Sequence, residues 1–84
     1  MSVHHDENIT YAEHYLIDIP EYADVSVTTL PCSILVINRF MGNGITTVAK
    51  LLEATPAQLM QLKGFGRTCL MEVEKYCERI KRLK

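Results

Sequence analysis

The residues best suited to chemistry lie between Leu59 and Val73. There Leu59-x-x-Leu62-Lys63-Gly64-Phe65-Gly66 is followed by Leu70 and Val73. Two leucines three apart set a short helix on a core, and two glycines permit a hairpin too tight for side chains, with Phe65 as its plug. The amides of Gly64, Gly66 and the residues that open the next helix are then without helical partners. A helix start carries a partial positive charge, so such amides can hold a phosphate, with Lys63 and Arg67 flanking it. This is a helix-hairpin-helix pattern, and the same hairpin also serves as a plain packing device.

Other reactive side chains are weaker candidates. His4-His5-Asp6-Glu7 has metal-ligand types, but adjacent histidines in a polar terminus read as solvated. His14 with Cys69 or Cys77 lacks a third group and an oxyanion element, which argues against a nucleophile pair. Cys32, Cys69 and Cys77 are an odd set without Cys-x-x-Cys spacing and read as buried apolar thiols in a reducing cytosol. Asn8-Ile9-Thr10 is a glycosylation triplet only in a secreted protein. No catalytic constellation, cofactor site or small-molecule substrate site is evident, so the sequence does not read as an enzyme.

The elements that must position the hairpin are short. Thr10 and Glu13 read as a capping box for a helix over about 11–17, closed by Pro20. Val25-Ser26-Val27-Thr28-Thr29 alternates and is β-branched, which predicts a loop or lone extended strand. Ser33 caps a helix from Ile34 to Met41, stopped by Gly42-Asn43-Gly44. Thr46 or Thr47 caps a second, Val48 to Glu53. Thr55-Pro56-Ala57-Gln58 opens a third that ends near Leu62. In a last helix of about 67–83, Leu70, Val73, Cys77 and Ile80 form one apolar stripe, and Glu78 precedes Arg82 by four.

The fold class is therefore all-α: a compact bundle of four to five short helices with a helix-hairpin-helix motif. Residues 31–84 form the helical domain, and residues 1–30 an acidic segment packing on or flanking its core.

Ser33 to about Ile80 resembles the C-terminal domain of the bacterial RNA polymerase alpha subunit. Ser-Ile-Leu-Val-Ile-Asn-Arg-Phe looks like that family's first helix. The segment from Gly44 to Leu52 is similar to its glycine/alanine-isoleucine-x-x-valine-glycine-x-leucine motif. Leu59 to Val73 is similar to its hairpin and last-helix segment. The resemblance implies a compact helical bundle that binds the minor groove of A/T-rich DNA and touches transcription factors. Asn38, Gly66 and Glu72 match family positions. Leu35, however, stands where the family has its principal DNA-contacting arginine, Thr68 where it usually has lysine, and Cys69 where it has serine. An apolar Leu does not replace Arg in a narrow, negatively charged groove. Arg39 and Arg67, each one position away from a matched site, offer partial compensation.

The 84 residues suit one domain. The net charge of −1 conceals a split. Residues 1–33 hold six carboxylates and no Lys or Arg, whereas residues 34–84 hold nine basic residues against four glutamates, a net of +5. The basic half points to an anionic partner; equally, each half is simply solvated, with the acidic arm against the basic module. The longest apolar run is Ile34-Leu35-Val36-Ile37, too short for a membrane span. No signal peptide is evident, which points to the cytoplasm.

Two function classes follow. The first is a non-catalytic, transcription-associated DNA-binding module that uses Asn38, Arg39, Lys63, Gly64, Gly66, Arg67 and Thr68. The second is a protein-interaction domain that kept the fold and lost the DNA grip, with RNA polymerase subunits or transcription regulators as partners. In a third arrangement the acidic arm masks the basic face.

Overall fold

A computed structural model describes residues 6–81. Five α-helices follow in order: α1 (Tyr11–Tyr15), α2 (Ile34–Gly42), α3 (Val48–Leu52), α4 (Pro56–Met60) and α5 (Arg67–Ile80). Two 3-10 turns, Ile19–Tyr22 and Val27–Thr29, connect α1 to α2. The expected all-α bundle is what forms, and no strand occurs among the described residues.

Side-chain caps place most helix starts. The Thr10, Ser33, Thr47 and Thr55 hydroxyls accept hydrogen bonds from the amides of Glu13, Val36, Lys50 and Gln58. Each gives a partner to an amide that helix geometry strands, a contribution of about 1 kcal/mol. At α4 the box is reciprocal, because the Gln58 side chain accepts from the Thr55 amide at 3.1 Å. At α1 it is one-sided: the Glu13 carboxylate accepts from the Thr10 hydroxyl at 3.3 Å.

Three expectations are corrected. First, α1 stops at Tyr15, well before Pro20, because Leu16 turns left-handed at φ 56° and the Ile17 amide donates back to the Ala12 carbonyl at 2.9 Å. Second, Val25–Thr29, expected as a loop or lone strand, is neither partnerless nor extended throughout: Ser26 is extended, and Val27–Thr29 is a 3-10 turn. The Ser26 hydroxyl accepts from the Thr28 amide, and the Thr29 hydroxyl donates to the Ser26 carbonyl at 2.7 Å. These local bonds curl the segment into a 3-10 turn despite its β-branched residues. The segment also has a partner, since Ser26 forms an isolated antiparallel bridge with Thr47. Flanking it, the Val27 amide donates to Thr46 and the Val48 amide to Val25. Third, α5 ends at Ile80, where Lys81 becomes extended. Arg82 and residue 83 lie outside the described residues; among the described residues Glu78 pairs with Lys81 at 2.8 Å.

One core holds these elements together. Its fully buried side chains include Tyr11 from α1, Val27 from the second 3-10 turn and Val36 and Phe40 from α2. Leu51 and Leu52 from α3, Leu59 from α4, and Val73 and Cys77 from α5 complete it. Each Val, Leu or Phe among them, removed from water, contributes about 1.5–3 kcal/mol. The segment before Ser33 therefore shares the core with the hairpin helices. Two further bonds reinforce this: the Tyr11 amide donates to the Ala54 carbonyl and the Ala57 amide to the Glu7 carbonyl, both at 3.1 Å.

Candidate nucleic-acid interface

The hairpin forms as its sequence predicts. After α4, the Leu62 amide donates to Leu59 and the Phe65 amide to Leu62, which draws the backbone into a tight turn. Gly64 sits at φ 77°, a conformation that glycine adopts without steric cost. Phe65 is buried and packs its ring 5.4 Å from that of Phe40, which fixes the hairpin against α2. Gly66 is the N-cap of α5 and, lacking a side chain, supplies no capping hydrogen bond. The first amides of α5 are thus left for an external acceptor, between exposed Lys63 and exposed Arg67 and Thr68.

Arg39 joins α2 to this turn. Its guanidinium lies directly over Gly64: a Cβ added there would sit 2.7 Å from both Cζ and one terminal nitrogen. The Arg39 Nε is buried without a hydrogen-bond partner among the described residues. Arg39 is consequently half-buried rather than freely extended, and it adds its charge at the seam between α2 and the hairpin.

The other α2 candidate, Asn38, is exposed one residue earlier. Leu35 precedes it by three, so the two share a helix face. Leu35 is 56% exposed and neighbouring Ile34 75% exposed, an apolar pair open to solvent at the start of α2. Of the residues singled out from sequence, Arg39 and Gly64 are in direct contact. Lys63, Gly66, Arg67 and Thr68 extend from the same turn, with Asn38 on the neighbouring helix.

One contact had no expectation behind it. The Glu72 carboxylate on α5 accepts from the Ser33 amide at 2.7 Å and from the Ser33 hydroxyl at 3.2 Å. An acidic group is thereby set at the positive end of α2, tying the start of that helix to α5. Thirty-nine residues separate the partners, so local patterns carried no signal for it.

The remaining candidates separate from this face. His14 rests edge-on against Tyr15 with ring centroids 4.6 Å apart, while Cys69 and Cys77 are buried. Burial pushes the Cys77 thiol up to about 12, which keeps it a neutral thiol rather than a nucleophilic thiolate. The Cys32 thiol is likewise raised, by burial first and the Glu72 charge second. Of the terminal His-His-Asp-Glu run, His4 and His5 lie outside the described residues. Among the described residues no cluster of three or more His, Cys, Asp or Glu side chains could hold a metal ion. No described helix is long and apolar enough to cross a membrane.

Known proteins share this arrangement of sequence. The family described as the C-terminal domain of the alpha subunit of bacterial RNA polymerase matches residues 16–79. That span begins well before Ser33 and includes the 3-10 turns that share the core. A DNA-directed RNA polymerase subunit alpha from Ureaplasma parvum serovar 3 (strain ATCC 700970) is 35% identical over 63 residues. The alignment takes in 74% of the present sequence and 19% of that protein, so the domain spans about a fifth of its relative's length. No solved structure matches. By its sequence match across both the N-terminal turns and the hairpin, the protein belongs to the family of C-terminal domains of the bacterial RNA polymerase alpha subunit.

Proposed function

We propose that this domain is a non-catalytic, transcription-associated module that binds duplex DNA through its phosphates, acting in the cytoplasm alongside RNA polymerase. One observation carries the reading: Arg39 lies on Gly64, which brings α2 against the hairpin that carries Lys63 and leads through uncapped Gly66 to Arg67 at the start of α5. In this reading the hairpin backbone at Gly64 and Gly66, with the Thr68 hydroxyl, holds a phosphate. The three cations neutralise its neighbours, and exposed Asn38 reaches a groove edge. Leu35 at the family's arginine position reduces preference for A/T-rich sequence, leaving an affinity dominated by counterion release.

A nuclear magnetic resonance titration of the labelled protein with A/T-rich and G/C-rich duplexes, at low and physiological salt, tests this. Shifts centred on Asn38, Arg39 and Gly64 to Thr68 that persist at physiological salt support the reading; an unmoved spectrum at both salts removes it.

A second reading is favoured by the apolar pair Ile34 and Leu35, exposed at the start of α2. In it the same face binds a polymerase subunit or transcription regulator, and the duplexes leave the spectrum unchanged.

A further inference from the structure

A second surface runs along α5 from Thr68, next to the hairpin, towards the helix C-terminus. Pro31 and one face of α5 line a groove of about 450 Å³ that runs from Thr68 through Met71, Glu72, Lys75 and Tyr76 to Arg79. Lys75 and Arg79 are exposed and one helical turn apart, and neither forms an ion pair among the described residues. The one carboxylate in the lining, Glu72, has its two oxygens turned to the Ser33 amide and hydroxyl. Glu78, on the same helix, is engaged by Lys81. Two unpaired cations thus stand beside an apolar wall of Pro31, Tyr76 and Met71, the last 51% exposed.

We propose that this groove binds an acidic peptide segment of a partner protein that carries one apolar side chain. Its carboxylates lie on Lys75 and Arg79, and its apolar side chain fills the space between Pro31 and Met71. Charge complementarity supplies the sign of the partner, and the concave apolar wall supplies its class. A nucleic-acid backbone fits less well, because it brings no apolar side chain for the wall. The inference goes beyond the DNA reading and does not depend on it, because Lys75 and Arg79 lie outside the hairpin.

The test is a titration of the whole protein with a synthetic decapeptide of aspartates and glutamates around a central leucine. Controls are the same peptide with asparagine and glutamine in place of its acids, and a DNA duplex. The acidic peptide is expected to shift the Met71 methyl and the amides from Lys75 to Arg79 in a saturable way. The amide control should bind at least tenfold more weakly. A Lys75→Glu/Arg79→Glu variant should lose at least tenfold in affinity with an unchanged melting curve, since both side chains are exposed. Equal binding of the neutral peptide, full affinity in that variant, or no shift in the groove overturns the proposal. So does a duplex that shifts Lys75 and Arg79 where the peptide does not. The DNA reading is scored separately, on shifts at Asn38 and Arg39 and from Gly64 to Arg67, because Thr68 borders both surfaces.

Discussion

The guanidinium of Arg39 rests on the bare backbone of Gly64, 25 positions further along the sequence, so a helix and a hairpin are registered by a contact that only glycine permits. Any side chain at position 64 meets the cost of a positive φ, while the flexible tip of Arg39 has to swing aside. Gly64→Ala should therefore destabilise the domain by about 1 kcal/mol, nearly all of it left-handed strain. Urea denaturation checks this. In an Arg39→Ala background the same substitution should cost about as much, and a markedly smaller cost there would show that displacing Arg39 carries a penalty of its own.

Arg39 also separates stability from function. Its Nε is buried without a partner, a penalty that a methionine of similar length avoids. Arg39→Met should leave the melting temperature unchanged or raised while it weakens duplex binding and lowers the salt slope by about one. Calorimetry and a salt-series binding assay measure the two effects on the same sample.

The face can be retuned from Leu35. This residue is half-exposed on the same side of α2 as Asn38, so a longer cationic group there sacrifices little burial. Leu35→Arg should tighten duplex binding about tenfold and introduce a preference for A/T-rich over G/C-rich sequence, read by fluorescence anisotropy. No gain in affinity would shift the weight to the protein-binding reading.

Leu16 offers a test of local strain. It is 60% exposed and holds φ 56°, so its side chain gives little to the core while its backbone is disfavoured. Leu16→Gly should stabilise the fold by up to about 1 kcal/mol. In a domain of this size that raises the melting temperature by about 4–8 °C per kcal/mol in a thermal scan.

Alkaline pH should unfold the domain earlier than its exposed charges suggest. Burial holds the Cys77 thiol up at about 12, against an ordinary value near 9, and raises the Tyr11 and Tyr15 hydroxyls above theirs. The unfolded state therefore loses protons first as pH rises. The stability these groups contribute is intact below pH 9 and falls away progressively from 9 to 12, the thiol acting before the tyrosines. Circular dichroism melts across that range should show the loss. Cys77→Ala should remove its earliest part, between about pH 9 and 10, despite a lower starting stability.

What is legible in the sequence is what near neighbours decide. The caps at Ser33, Thr47 and Thr55, the stop at Gly42-Asn43-Gly44 and the Leu59–Gly66 hairpin are each set within a few residues, and they form as expected. Leu16 gives no warning, because a leucine in a left-handed turn contradicts its own preference and is held there by the Ile17–Ala12 bond and the burial of Ile17. The Val25–Thr29 segment departs from its β-branched pattern because the side-chain hydrogen bonds of Ser26 and Thr29 outweigh that preference. The candidate site is legible residue by residue but not as a surface. Arg39 on Gly64 and Glu72 on Ser33 are long-range pairings, and nothing local in the sequence marks either one.

The bonds from Tyr11 to Ala54 and from Ala57 to Glu7 tie the beginning of the described residues to the corner between α3 and α4. Mechanical load entering from that end meets this seam before it reaches the hairpin. The domain should yield to traction by peeling its first helix away from the corner, before the hairpin at Gly64 comes apart.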